Sequence, residues 1–143
     1  MKIEPYLFFD GNAEEALAFY AQALNAKLEA NLRYADCPDP VPPECIPPGG
    51  RQKIMHACLL IDGQRLMMSD GTPQEAGAFR GFCLSLEYPT EAEARNIFGR
   101  LADGGRILMP MGPTFFSPCF GMLSDRFGVQ WMVMILDEEK CQA

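Results

Sequence analysis

Apolar residues recur along this chain in two rhythms, one of period two and one of period 3.6. Residues 3–9 are short and aromatic-rich and predict a strand, closed by a turn at Asp10-Gly11-Asn12. Asn12 followed by Glu15 has the form of a capping box, with Ala13 as the first helical residue. Ala16, Phe19, Tyr20 and Ala23 then recur at helical spacing and predict one apolar face. Residues 27–34 alternate, with Leu28, Ala30, Leu32 and Tyr34 on the apolar side of a half-buried strand. Six of the twelve prolines fall within residues 36–50, an irregular excursion. Residues 53–61 and 65–69 predict two strands around Asp62-Gly63, the strongest hairpin signal in the chain.

The second half repeats this order. Residues 81–88 predict a strand and Pro89-Thr90 a turn, and Thr90 with Glu93 repeats the capping box. Ala94, Ile97, Phe98 and Leu101 repeat the apolar helix face, each lying 78 residues after its counterpart in the first helix. Gly104-Gly105 ends that helix, and residues 106–109 predict a short strand that Pro110 stops. Two more strands, 119–124 and 129–136, are joined through Asp125-Arg126-Phe127-Gly128. Gly63-Gln64-Arg65-Leu66-Met67-Met68 aligns with Gly128-Val129-Gln130-Trp131-Met132-Val133. Two copies of strand–helix–three strands therefore make an α+β chain, with module one at about 1–76 and module two at about 77–143.

Composition narrows the possible functions. With 143 residues the chain is expected to form a single domain. Its net charge of −7 argues against nucleic acid, whose phosphates demand a basic surface. The longest apolar run, residues 131–136, falls far short of the roughly 18 residues of a membrane span. The chain opens without a basic segment followed by an apolar one, so a cytoplasmic location is expected. Cys37, Cys45, Cys58, Cys83, Cys119 and Cys141 form no C-x-x-C pair, which argues against a disulfide scaffold. Cys37 and Cys45 share the proline-rich excursion, but a structural zinc site wants four ligands and only His56 is left to join them.

Several stretches carry a family likeness. Pro5-Tyr6, Gly11-Asn12-Ala13-Glu14-Glu15-Ala16 and Phe19-Tyr20 resemble the opening of PhnB-like proteins. So do Met55-His56-Ala57, Leu66-Met67-Met68-Ser69-Asp70, Gly81-Phe82 and the long stretch at 120–132. This group is a branch of the vicinal oxygen chelate superfamily, which includes glyoxalases, extradiol dioxygenases and bleomycin-resistance proteins. Its members often carry the label 3-demethylubiquinone methyltransferase-like. The resemblance implies two tandem β-α-β-β-β modules in a curved, half-barrel-like sheet, and a homodimer with a cavity in each subunit.

The resemblance also locates the superfamily's metal positions. A ligand of the last strand of a module follows its turn glycine by four residues, which here gives Met67 and Met132. The opening strands place Ile3 or Pro5, and Phe82, at the other ligand positions. None of these suits a hard divalent cation, which takes oxygen or imidazole donors. No metal and no cofactor are therefore expected. Met67 and Met132 are expected to line one cavity across the modules with His56 and Cys58.

His56 is the single histidine, and a two-residue turn at Asp62-Gly63 sets Cys58 opposite Met67 and His56 opposite Ser69. It reads either as a hydrogen-bonded histidine of a small barrel or as a ligand contact or general base. Asp70 suits a strand-ending turn better than an orienting role. Tyr6, Arg33 and Tyr34 are further candidates for the cavity, with Arg33 the anion partner; Glu87 has the opposite parity from Leu84 and Leu86 and points away. Met68 and Met122 read as core fillers, Trp131 as packed under the second helix, and Asp125-Arg126 as an ion-paired turn. The candidate ligand-binding set is thus Tyr6, Arg33, His56, Cys58, Met67, Ser69, Phe82 and Met132.

Three functions fit this pattern. The first is metal-independent binding of a small organic molecule in an apolar cavity. The second is a lyase or isomerase with His56 as base. The third, a methyltransferase, lacks a glycine-rich strand-to-helix loop of the kind that cradles a nucleotide cofactor.

Overall fold

The computed structural model describes residues 1–71 and 75–136. Cys141 lies outside the described residues. The chain divides into two compact units, Met1–Gly77 and Ala78–Ala143. The first contains β1 (Tyr6–Phe8), α1 (Ala13–Ala23), β2 (Lys27–Arg33), β3 (Ile54–Ile61) and β4 (Gln64–Ser69). The second contains β5 (Leu84–Tyr88), α2 (Glu91–Ala102), β6 (Arg106–Gly112), β7 (Phe120–Ser124) and β8 (Gln130–Ile135). Each has one four-stranded mixed sheet, in the orders β1-β4-β3-β2 and β5-β8-β7-β6. In both, the outer opening strand runs parallel to the last strand and the other pairings are antiparallel. The repeat legible in the sequence is a repeat of topology.

Strand alternation sorts the side chains of the first sheet into two faces. Leu7, Ala57, Leu59, Leu66 and Met68 are all 2% exposed or less and form the face covered by α1. The helix contributes Ala13, Ala16, Leu17, Tyr20 and Ala23, while Phe19 of the expected stripe is only half-buried. The small alanines let α1 lie close on the sheet. On the hairpin, Asp62 (φ 49°) and Gly63 (φ 78°) both take positive φ, as a two-residue primed turn requires.

The start of α1 corrects a sequence expectation. Asn12 makes no side-chain cap; instead Asp70, 57 residues away, accepts from Ala13 N–H at 2.9 Å. Its other oxygen accepts from Ile54 N–H at 3.0 Å, so one carboxylate ties helix to sheet. A buried carboxylate at a helix N-terminus also meets the positive end of the helix dipole. In α2 the expected cap forms, with Thr90 accepting from Glu93 N–H at 3.3 Å.

Strand boundaries shift for equally local reasons. β1 is only three residues long, and Ile3 lies outside it, 89% exposed. β6 does not stop at Pro110 but continues to Gly112. It lies at the sheet's edge with irregular register beyond Met109, where a missing N–H breaks no regular ladder. The base of the proline-rich excursion is tied by Tyr34 N–H to Lys53 O and Ala35 N–H to Arg51 O, and two short 3₁₀ turns lie at Tyr34–Asp36 and Pro43–Cys45.

Candidate functional site

The first sheet turns a polar and aromatic row away from α1. Tyr6 and Cys58 both pair with Met67, one from each side of β4, and Phe8 pairs with Ser69 in the next row. Across this row the Tyr6 hydroxyl reaches His56 Nδ1 at 2.8 Å. The Tyr6 ring stacks on Phe8 (centroids 4.9 Å apart, 27° between planes) and tilts against the His56 ring at 5.6 Å. Phe8, Tyr6 and His56 thus form one continuous ring surface, half-buried, with Met67 beside it. Burial raises the Tyr6 pKa, partly offset by the Ser69 hydroxyl, so Tyr6 stays a protonated phenol. Tyr34 is buried, its hydroxyl lies 3.5 Å from Asp70 O, and burial likewise raises its pKa.

The remaining candidates separate from this cluster in instructive ways. Cys58 is buried and donates to Glu29 Oε2 at 3.1 Å; burial, helped by that carboxylate, pushes its thiol up to about 11. Glu29 sits at an irregularity of β2, between the paired residues Leu28 and Ala30, and so reaches both Cys58 and Arg65. Arg33 is held by the Glu14 carboxylate and by Gln52 O, which ties it to α1 and the loop before β3. A cleft of about 500 Å³ opens by Lys2, Glu4, Pro5, Glu29, Gln64 and Arg65, but Tyr6 and His56 do not line it. Its principal charges, Glu29 and Arg65, are already spent on each other.

In the second sheet Met132 pairs with Ser85 on one side and Met122 on the other, and Met122 pairs with Met109. Trp131, Val133 and Leu123 are buried on the opposite, helix-covered side. Met122 is therefore half-buried on the Met132 face and not a core filler, whereas Met68 is fully buried. Glu87 corrects a further expectation: it pairs with Met134, so it shares the face of Met132, while Leu84 and Leu86 pair with buried Trp131 and Val133. Phe82 precedes β5 and is 43% exposed, stacked edge-on against Phe79. The strand position beside Met132 belongs to Ser85, as that beside Met67 belongs to Tyr6, and not to Phe82, Ile3 or Pro5.

Asp125 lies buried at the β7–β8 turn and accepts from Phe127 N–H, Val129 N–H and the Trp131 indole N–H. It pins the turn and the buried indole, and Arg126 pairs with Asp103.

A divalent metal ion does not match these residues. Tyr6 with Met67 and Ser85 with Met132 offer phenol, hydroxyl and thioether where a divalent ion wants carboxylate or imidazole. Among the described residues, no three His, Cys, Asp or Glu come together as a ligand group. At the helix starts, where a phosphate would sit, the Asp70 carboxylate takes the Ala13 N–H of α1 and the Thr90 hydroxyl takes the Glu93 N–H of α2.

Comparison with known proteins agrees with this architecture. The family model described as 3-demethylubiquinone-9 3-methyltransferase matches residues 1–134. Protein YjdN of Escherichia coli K12 is 34% identical over 149 residues, covering 99% of this chain and 100% of YjdN. Protein PA1353 of Pseudomonas aeruginosa is 42% identical with a TM-score of 0.81, over 95% of this chain and 98% of that one. The PhnB protein of Bacillus cereus is 31% identical with a TM-score of 0.75, over 94% and 99%. At 14% identity, FosX of Listeria monocytogenes shares the fold alone, with a TM-score of 0.64 over 98% of this chain and 96% of its own. The chain belongs to the 3-demethylubiquinone-9 3-methyltransferase family, to which the PhnB protein of Bacillus cereus is also assigned by its name. The family's name is that of an activity.

Proposed function

We propose that this protein binds a small organic molecule without a metal ion, on the face of the first sheet turned away from α1. The observation that carries the reading is the Tyr6–His56 hydrogen bond set into an aromatic and methionine-lined surface. A half-buried polar pair on an apolar surface is what orients a small ligand, and thioether side chains adapt to ligand shape. His56, Tyr6, Met67 and Ser69 form the contact set, with Cys58 as a buried neighbour. Arg33 leaves the set because Glu14 holds its guanidinium. Met132, flanked by Met122 and Ser85, is the counterpart of Met67 in the second sheet. No described helix is long and apolar enough to cross a membrane. We further propose a cytoplasmic protein, and a homodimer as the superfamily resemblance implies.

Thermal-shift screening of small metabolites tests this reading, since a ligand that binds the native state raises the melting temperature. A hit whose shift disappears in His56→Ala, and which survives chelator, supports it. Stoichiometric zinc, nickel, manganese or iron in the purified protein, lost with stability on chelation, overturns it. Light scattering at micromolar concentration decides between dimer and monomer.

A further inference from the structure

The Tyr6–His56 hydrogen bond has a direction, and that direction selects the ligand. A phenol is a good donor and a poor acceptor, whereas the bare nitrogen of a neutral imidazole is a good acceptor. The 2.8 Å contact to Nδ1 is therefore Tyr6 O–H donating to His56. An imidazole that accepts at Nδ1 carries its proton on Nε2. Among the described residues His56 makes no other hydrogen bond, and no buried side-chain nitrogen or oxygen lacks a partner. Nε2 is consequently open to solvent, with its N–H unclaimed by the protein.

We infer that Tyr6 locks His56 as the Nε2–H tautomer, so that this face offers one directed N–H donor to the carbonyl oxygen of an apolar ligand. This rests on the binding reading above and names its ligand class. Apolarity follows from the surroundings of that donor: Phe8 stacks on Tyr6 and Tyr6 leans on His56, with the flexible thioether of Met67 alongside. A neutral carbonyl is favoured over a carboxylate for two reasons. The chain carries a net charge of −7, and Arg33, the cation that the sequence offers to this cavity, is paired with Glu14.

His56 is the chain's single histidine, so ¹⁵N-histidine labelling of the untagged protein gives one ring to observe. The expected free-state spectrum shows a protonated Nε2 and an unprotonated Nδ1. Tyr6→Phe, which keeps the ring and removes the donor, should release the Nδ1-bare preference. Acetophenone, ethylbenzene, benzoate and benzylamine are then titrated, with the Met67 methyl, assigned through Met67→Leu, reporting occupancy of the face. Acetophenone should move both Nε2 and the Met67 methyl and bind about fivefold tighter than ethylbenzene, the worth of one net hydrogen bond. A protonated Nδ1 in the free protein, with the Met67 methyl still responding to the probes, overturns the donor assignment and leaves the binding face standing. Benzoate or benzylamine binding more tightly than acetophenone overturns the ligand class. A Met67 methyl unmoved by all four probes overturns the ligand class and the binding reading together.

Discussion

Arg65 grips both carboxylate oxygens of Glu29, Nε to Oε2 at 2.9 Å and Nη2 to Oε1 at 3.0 Å. The two residues come from different strands, β4 and β2, and reach each other past Cys58 on β3. Such a two-point contact fixes geometry as well as charge. It holds the Glu29 carboxyl down at about 2, with the Arg65 hydrogen bonds the largest cause and the Cys58 thiol the next.

The pH dependence follows from that depression. A carboxyl whose pKa is lower folded than unfolded adds stability that is complete above its ordinary value of 4.5 and is lost as pH falls through about 2. Carboxyl ¹³C titration should place the Glu29 midpoint near 2 and return it toward the ordinary range in Arg65→Gln. Glu29→Gln should flatten the acid limb of stability in that window. An unshifted Glu29 midpoint in the parent protein refutes the pairing.

Asp70 tests the tie between helix and sheet. Asp70→Ala strands two buried N–H groups, those of Ala13 and Ile54, at about 1–3 kcal/mol each. Urea denaturation should therefore show a loss of about 2–6 kcal/mol. The exposed Asp39, changed to alanine, should stay within about 0.5 kcal/mol of the parent. Equal effects at the two positions would remove Asp70 from its capping role.

Cys58 should be a sluggish thiol. Burial first, and then Glu29, raises its pKa to about 11, which leaves little thiolate at pH 8. Iodoacetamide at that pH, followed by peptide mass spectrometry, should label exposed Cys45 well before Cys58. Denaturant should abolish the difference. Because burial is the largest cause, Glu29→Gln should leave Cys58 slow; fast labelling of Cys58 in the parent contradicts the assignment.

Much of the fold was legible because it is written in local pattern. The Asp62-Gly63 turn sets the register that puts Cys58 opposite Met67, and the α2 face and all of the α1 stripe but Phe19 follow from 3.6-residue spacing. What escaped was non-local. The cap of α1 comes from Asp70, which no window around Asn12 contains. The alternation of Glu87 against Leu84 and Leu86 is local, but the pairing that puts Glu87 on the Met132 face depends on β8, more than forty residues away in sequence. Tyr6 and His56 were both candidates, yet their bond exists because the parallel β1 docks beside β4 at Met67, a register that no turn between them specifies.

Pro110 also bears on how the protein keeps to itself. β6 forms a rim of its sheet, and along that rim Ile107, Leu108 and Met109 stand 53%, 41% and 45% exposed. A greasy, unfinished border of this kind invites stray chains to zip on and grow into fibres. At position 110 the backbone has no hydrogen to give, so an incoming strand meets a missing rung just after the stickiest stretch. Pro110 thus leaves β6 one hydrogen-bond donor short beside its most exposed apolar residues.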